Sequence, residues 1–424
     1  MVIAFVMDSL GVHSNGTSVT ALRYAQALRQ AGHEVRLVGC EASGQDAYPV
    51  PEHKIPLVSA VAKHNGFTFA SPNDEVFDSA FWDADIVHLF LPFALEQQAL
   101  AWARSHEVPV SAAFHLQPQN VTYNAGIGAA PLVCDGIFGL FRRWVYGQVR
   151  HIHCPSRMIA RQLKDHHYEA RLSVISNGVP QEFQPLPDSV INGPYESIAQ
   201  VADGAGAASQ SLLFKKPEGL IPLVTVGRLA PEKNQRTIIE AVGRSRYRDQ
   251  VELYVCGAGP ERRRLESLAQ KEGVRSHFVF LDHDALIALE HRCPLYLHAS
   301  VADIEAISVI EAVAAGCIPI IGEAPLSAPS EFALCPQSLF PAKDASALAA
   351  RIDSWLSQPE AMAAWRPAYL KEADSLRLPK VIQEFLAMEE HAIFDDLSAY
   401  GKAPISMVVP NTFVREAPAH EEVS

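Results

Sequence analysis

The chain has 424 residues, 48% hydrophobic and 20% charged; it can bury a substantial core and exceeds the roughly 100–200 residues of a typical domain, so two domains are expected. A formal net charge of −13 with no long Lys/Arg run opposes a polyanion and excludes nucleic acid as a partner class, although a local basic patch for phosphate or lipid head groups remains compatible with it. Seven scattered cysteines without a CxxC pair argue against a disulfide framework and against a zinc site, and fit a reducing, cytoplasmic compartment.

Residues 2–7 (VIAFVM) form a continuous apolar run with no basic flank, followed at once by polar turn residues, which reads as a first strand and not as a signal peptide. The loop DSLGVHSNGTS leads into TALRYAQALRQAGHEV, whose apolar residues recur at helical spacing, and then into VRLVGC. Gly32 falls just past the helix, where a left-handed cap is wanted. The chain therefore begins as a strand–helix–strand unit of a covered parallel sheet. Further strands are expected at 84–91, 108–115, 151–156 and 171–179, which is the doubly wound pattern. Pro-, Gly-, Ser- and Ala-rich sequence then places a junction at 179–219, between an N-terminal domain (1–178) and a second domain (220–377). In the latter, the strands LIPLVTVG, VELYVCG, FVFL, LYLHAS and CIPIIG alternate with helices over 235–246, 261–272, 284–291 and 308–315. A helix at 378–395 that crosses back and a polar tail at 396–424 complete an α/β organisation of two Rossmann-like domains. No run reaches the roughly 20 apolar residues that a bilayer span needs, so any membrane contact is expected to be peripheral.

The strongest constellation is GRLAPEKN at 227–234. Arg228 offers a planar fork of donors, Lys233 a mobile point charge, and the helix that follows adds unpaired N–H groups; the three converge on an anion such as a pyrophosphate. The plain alternative is a solvated basic turn. Downstream, VADIEAISVIEAVAAGCIPIIG at 301–322 separates Asp303 from Glu311 by seven residues across a helix start near Ser308. Backbone N–H groups of Ala306, Ile307 and Ser308 are placed to meet phosphate or sugar oxygens, and Glu311 to accept from ribose hydroxyls. An ordinary capped helix with Glu305 and Glu311 as first-turn acids is the competing reading. His115 and His88 both end strands, at the edge where open α/β sheets bind ligands, and one of the two is expected to be structural. Gln117, Gln119 and Asn120 follow His115 with neutral hydrogen-bonding groups. NGTS at 15–18 lacks a GxGxxG pattern, which disfavours a dinucleotide site; Gly16 is either a plain turn glycine or a point of close backbone approach.

GRLAPEKN, followed by an acid, seven residues and EAVAAGCIPII, closely resembles the donor half of the family 4 retaining glycosyltransferases, and the likeness extends from NGTSVTALRYAQALRQAGHEVRLV through SNGVPQEF to the C-terminal helices. The resemblance implies a GT-B fold, two Rossmann-like domains facing across a cleft, and a hexosyltransferase that uses a nucleotide diphosphate sugar with retention of configuration. UDP-glucose or UDP-galactose is the leading donor. It implies that Arg228 and Lys233 hold the diphosphate, Glu311 the ribose, His115 the transferred sugar, and that Gly16 lines the cleft. The family's first acidic position is normally Glu; here it is Asp303, with Glu305 two residues later, and the glycine-rich filler between the acids is replaced by AIS.

No cofactor and no metal are expected; the two cations take the place of a divalent ion. FHLQPQNVTYN and HCPSRMIARQL resemble segments of bacterial lipid α-glycosyltransferases that act on diacylglycerol, so a membrane lipid is the leading acceptor, with Gln117 and Asn120 on the acceptor side. The segment 137–150, with Ile137, Phe141, Trp144 and Val145 on one helical face beside Arg142 and Arg143, reads either as an ordinary amphipathic helix packed on the N-terminal sheet or as an interfacial helix that makes peripheral membrane contact. A cell-wall or exopolysaccharide glycosyltransferase, a GT-B epimerase and a non-catalytic nucleotide-sugar binder are the other readings.

Overall fold

The computed structural model describes residues 1–11, 16–56, 59, 62, 67–124, 126–186 and 220–402. The loop at 12–15, most of the expected junction (187–219) and the tail from 403 lie outside the described residues. The chain divides into two compact units, Met1–Asn177 with Leu378–Ser424, and Gly178–Arg377.

The first unit holds one sheet of parallel strands: β1 (Val2–Ser9), β2 (Glu34–Cys40), β3 (Ala47–Pro49), β4 (Ile86–Leu89), β5 (Val110–Ala113), β6 (His151–Cys154) and β7 (Arg171–Val174), ordered β3-β2-β1-β4-β5-β6-β7. The helices α1 (Gly16–Gln30), α2 (Asp74–Phe81), α3 (Ala94–Ser105), α4 (Pro118–Asn124), α5 (Pro131–Trp144) and α6 (Arg157–Asp165) connect them. β1 is buried along nearly its whole length, which is why its sequence is continuously apolar instead of alternating. Ala21, Tyr24, Ala25 and Leu28 form the inward stripe of α1, and Gly32 ends it at φ 88°, as the sequence predicts.

The second unit repeats the plan with β8 (Ile221–Val226), β9 (Val251–Cys256), β10 (Ser276–Val279), β11 (Leu295–His298), β13 (Ile318–Glu323) and β15 (Leu339–Pro341), ordered β10-β9-β8-β11-β13-β15. A short pair, β12 (Ala302–Asp303) with β14 (Leu326–Ser327), stands beside it. Its helices are α7 (Gln235–Arg244), α8 (Arg262–Lys271), α9 (His283–Glu290), α10 (Ile307–Ala315), α11 (Ala345–Leu356) and α12 (Pro359–Ser375).

The last helix, α13 (Leu378–Ala399), belongs to the first unit. Phe385, Met388 and Ala392 join the core around Phe5, Tyr24 and Ile86. Its acids explain why it outruns the expected end at 395. Asp396 accepts from the Val110 backbone N–H at 2.9 Å and from Arg150 at 2.9 Å, and Asp395 meets His151 at 2.8 Å. In the sequence these carboxylates read as the start of a polar tail. Deeper in, Glu389 is buried against β4 and β5: His88 Nδ1 lies 2.8 Å from Ser111 Oγ and from Glu389 Oε1, and Ser111 donates to Glu389 Oε2 at 2.7 Å.

The segment 137–150 is not a single helix. α5 ends at Trp144, a tight turn spans Tyr146–Gln148, and β6 follows. Phe141 and Val145 are buried and Ile137 and Trp144 half-buried, so the stripe read as interfacial is the packed face. Among the described residues no helix is long and apolar enough to cross a membrane, and all seven cysteines are free and buried.

Removing the carboxylate leaves the buried His88 imidazole and Ser111 hydroxyl without their partner. Glu389→Ala is therefore expected to lower the unfolding free energy by about 1–3 kcal/mol, read from urea denaturation.

Candidate functional site

In the second unit the residues around Arg228 and Lys233 are built by two loops pressed together. Gly227 N–H donates to the Cys256 carbonyl and Leu229 N–H to the Ala258 carbonyl, each at 2.9 Å. A Cβ at Gly257 would sit 2.0 Å from the Gly227 carbonyl oxygen, and one at Gly259 2.3 Å from that of Leu229. Only glycine permits that approach, and both have positive φ. In the sequence, the GAG of VELYVCGAGP is the signal that marks this pair.

After Arg228 the chain makes a short turn, Pro231–Lys233, and Asn234 at φ 51° turns it into α7. Arg228 Nη2 pairs with Glu232 Oε1 at 2.5 Å, and Glu232 is buried. Lys233 Nζ pairs with Asp303 Oδ2 at 2.5 Å. Each cation expected to meet an anion is thus held and oriented by a carboxylate. The Glu232 carbonyl accepts from Val301 N–H at 2.8 Å and Ser300 Oγ at 3.0 Å, fastening this turn to the segment that carries Asp303. Pairing of Asp303 with Ser327 in β14 fixes that segment from the other side.

His298, at the end of β11, lies 3.4 Å from the same Asp303 oxygen. Burial pushes the Asp303 carboxyl up, but the Lys233 ammonium and His298 outweigh it and hold the group well below the usual carboxylate range. Burial lowers the His298 imidazole. Neither Glu232 nor His298 was singled out in the sequence; an acid four residues after Arg228 and a histidine ending a strand were the available signals.

α10 begins at Ile307, one residue before the expected start. Ala306 precedes it at φ 60°, ψ 74°, a left-handed conformation that a side chain resists. Ser308 spends its hydroxyl inside the fold, accepting from Tyr296 at 2.8 Å and donating to the Val226 carbonyl at 3.3 Å. Glu305 and Glu311 are both buried, one before the helix and one a turn inside it. Glu290, at the end of α9, has no hydrogen-bond partner for either oxygen among the described residues. Burial, and then Glu311, push its carboxyl well above the usual carboxylate range.

In the first unit His115 follows β5 and is buried, stacked on Phe90 at 5.6 Å and perpendicular to His153 at 5.3 Å. Burial, then His153 and His88, hold it far below the ordinary imidazole value, so it is neutral. Burial likewise lowers His153 to about 3. His88 is engaged by Glu389 and Ser111, whereas His115 Nε2 has no partner among the described residues. Gln117 donates to Gln162 at 3.3 Å. Gln119 Oε1 and Asn120 Oδ1, at the start of α4, are shielded acceptors without partners among the described residues. Gly16 opens α1, and among the described residues a Cβ there would meet nothing within 4 Å.

Both units therefore gather their candidate residues where strands end and helices begin, which is where doubly wound sheets bind ligands. Two family profiles match: "Glycosyltransferase Family 4" over residues 14–183 and "Glycosyl transferases group 1" over residues 213–371. The chain belongs to the family 4 glycosyltransferases. The transferase is 25% identical over 283 residues to a GDP-mannose-dependent alpha-mannosyltransferase of Corynebacterium glutamicum, a match spanning 63% of this chain and 60% of that relative. It is 25% identical over 388 residues to a glycogen synthase of Mycobacterium tuberculosis, covering 84% of each. In structure it is similar to sucrose-phosphate synthase of Thermosynechococcus elongatus, with a TM-score of 0.68 at 15% identity over 94% of this chain and 100% of the other, which shows the GT-B fold.

Two outcomes are expected. Ala306→Gly removes the left-handed strain and raises stability by about 1 kcal/mol, measured by thermal unfolding. The Asp303 carboxyl is lowered on folding from its ordinary 3.8, so its contribution is complete above about pH 4 and is lost as pH falls through the folded-state value. Asp303→Asn should remove that part of the acid-induced loss, seen as a flatter stability profile below about pH 4.

Proposed function

We propose that the transferase moves a hexose, from UDP-glucose or UDP-galactose, to the hydroxyl of a membrane lipid such as diacylglycerol, with retention of anomeric configuration. The observation that carries the donor half is the pairing of Arg228 with Glu232 and of Lys233 with Asp303, beside the N-terminus of α10. The two carboxylates keep the cations oriented until a diphosphate takes their donors. Asp303, released from Lys233, then turns to the hydroxyls of the sugar, with Glu305 behind it. Backbone N–H groups of Ala306, Ile307 and Ser308 meet the distal phosphate, and Glu311 the ribose. The helix terminus adds a partial positive charge of about half a unit.

In the transfer step the acceptor oxygen bonds to the anomeric carbon on the face from which the nucleotide diphosphate departs. The bond from that carbon to the phosphate oxygen breaks, and the acceptor proton passes to the departing oxygen. Arg228 and Lys233 stabilise the charge that develops there, the part a divalent ion plays in other transferases. On the acceptor side the unpartnered Gln119, Asn120 and His115 atoms support hydroxyl recognition, with His115 acting as a neutral hydrogen-bonding group. Gln117 flanks them.

The names of the curated relatives favour a second reading, a mannosyl donor or a saccharide acceptor. The test is a transfer assay with UDP-glucose, UDP-galactose and GDP-mannose as separate donors, against diacylglycerol vesicles and an α-glucan, in EDTA. Glycolipid from a UDP-hexose supports the first reading; mannosyl or glucan product alone replaces it. Lys233→Ala and Arg228→Ala are each expected to lower kcat at least about 100-fold with an unchanged circular dichroism spectrum, and full activity in either would remove the phosphate assignment.

A further inference from the structure

α5 has two unlike faces. Cys134, Phe138, Phe141 and Val145 point into the first unit. Leu132, Val133, Gly136, Gly139, Leu140 and Arg143 fall within a roughly 120° arc on the other side, at about 100° per residue. Leu132 is 88% exposed, Val133 47% and Leu140 38%. Of the seven large hydrophobic side chains exposed among the described residues, five lie between 121 and 140; the other two of the five are Val121 on α4 and Ile127 in the loop before α5. Gly126 and Gly128, both at positive φ, turn that loop on either side of Ile127.

Gly136 and Gly139 disfavour a helix, and a Cβ at either would meet nothing within 4 Å, so no packing inside the chain asks for them. They keep the outer face of α5 low, as suits an element lying on a flat surface. The charge around it departs from the rest of the molecule. From 116 to 165 the chain carries Arg142, Arg143, Arg150, Arg157, Arg161 and Lys164 against Asp135 and Asp165, in a protein of net charge −13; Arg150 is paired with Asp396 at 2.9 Å. Asp135 is itself paired with His166 at 3.1 Å. Arg142 caps the end of α6 through the His166 and His167 carbonyls, both at 3.1 Å, which joins α5 to the helix whose exposed residues include Arg157, Arg161 and Lys164.

We infer that the outer face of α5, with Val121 and Ile127, is a docking surface for an anionic lipid bilayer. Leu132, Val133, Leu140 and Ile127 enter the head-group boundary, and Arg143 with the basic side chains of the same region meets lipid phosphates. This deepens the lipid-acceptor reading and rests on it for the choice of occupant. It also moves the contact from the stripe through Phe141 and Val145, which is buried, to the opposite side of the same helix. α4, which carries Val121, follows Gln117 directly in the chain.

The test is flotation of the full chain with vesicles of phosphatidylglycerol and phosphatidylcholine, and with phosphatidylcholine alone. Binding to the anionic vesicles only is expected, weakening as salt rises, with a loss of roughly tenfold or more in the Leu132→Ser/Leu140→Ser pair and in Arg143→Glu. Circular dichroism confirms that the variants fold; their substituted positions are exposed. Wild-type binding that is equal on both vesicles, or absent from both, overturns the inference, as does wild-type affinity in the folded variants. So does a wild-type dimer that the double variant converts to monomer, which would make the face a self-association surface. Thermal stabilisation by UDP, measured on the same samples, reports the donor site separately: stabilisation without flotation sinks the surface alone, and flotation with a saccharide product sinks the lipid acceptor alone.

Discussion

The ion pair between Lys233 and Asp303 organises the ligand-binding edge of the second unit. It ties the turn after β8 to the segment after β11, and it makes a buried carboxylate tolerable. An isolated buried acid would take up a proton; with an ammonium on it and His298 beside it, this one stays charged. Arg228 and Glu232 repeat the arrangement four residues apart. The consequence is a site whose positive charges are oriented before a ligand arrives, so that binding an anion exchanges one partner for another instead of ordering two long side chains from solution.

The first unit solves a different problem. After β5 and on β6 it presents neutral groups: burial and neighbouring imidazoles keep His115 and His153 neutral, and the amides Gln119 and Asn120 present acceptors without partners among the described residues. One layer back, α13 delivers Glu389 to His88 and Ser111. Under the proposed function the neutral groups of the first unit are the ones offered to a hydroxyl, and the cations of the second the ones offered to a departing diphosphate.

Much of the fold was legible because strands covered on both faces are continuously apolar and helices repeat at 3.6 residues, so the alternation in 2–40 and 220–322 could be followed without coordinates. The α13 boundary was placed at 395, short of Ala399, since Asp396 looks solvated until a buried N–H and an arginine are known to lie opposite it. Whether the Phe141 face of α5 packs or meets a membrane was left open for a related reason. Aromatic and aliphatic stripes run along both sides of that helix, and periodicity does not say which one the sheet covers.

The sequence by itself determined the class of the protein and the chemical types in its site, because strand–helix alternation, the GRLAPEKN run and the spacing of Asp303 from Glu311 are local patterns that physical chemistry reads directly. Only the tertiary structure decided who partners whom. That Lys233 rests on Asp303, that His88 is closed by Glu389, and that Leu132 and not Phe141 meets solvent are contacts between residues far apart in the chain, or between a helix and the layer it packs on. Such contacts arise from long-range packing, which leaves no period and no motif in the local sequence.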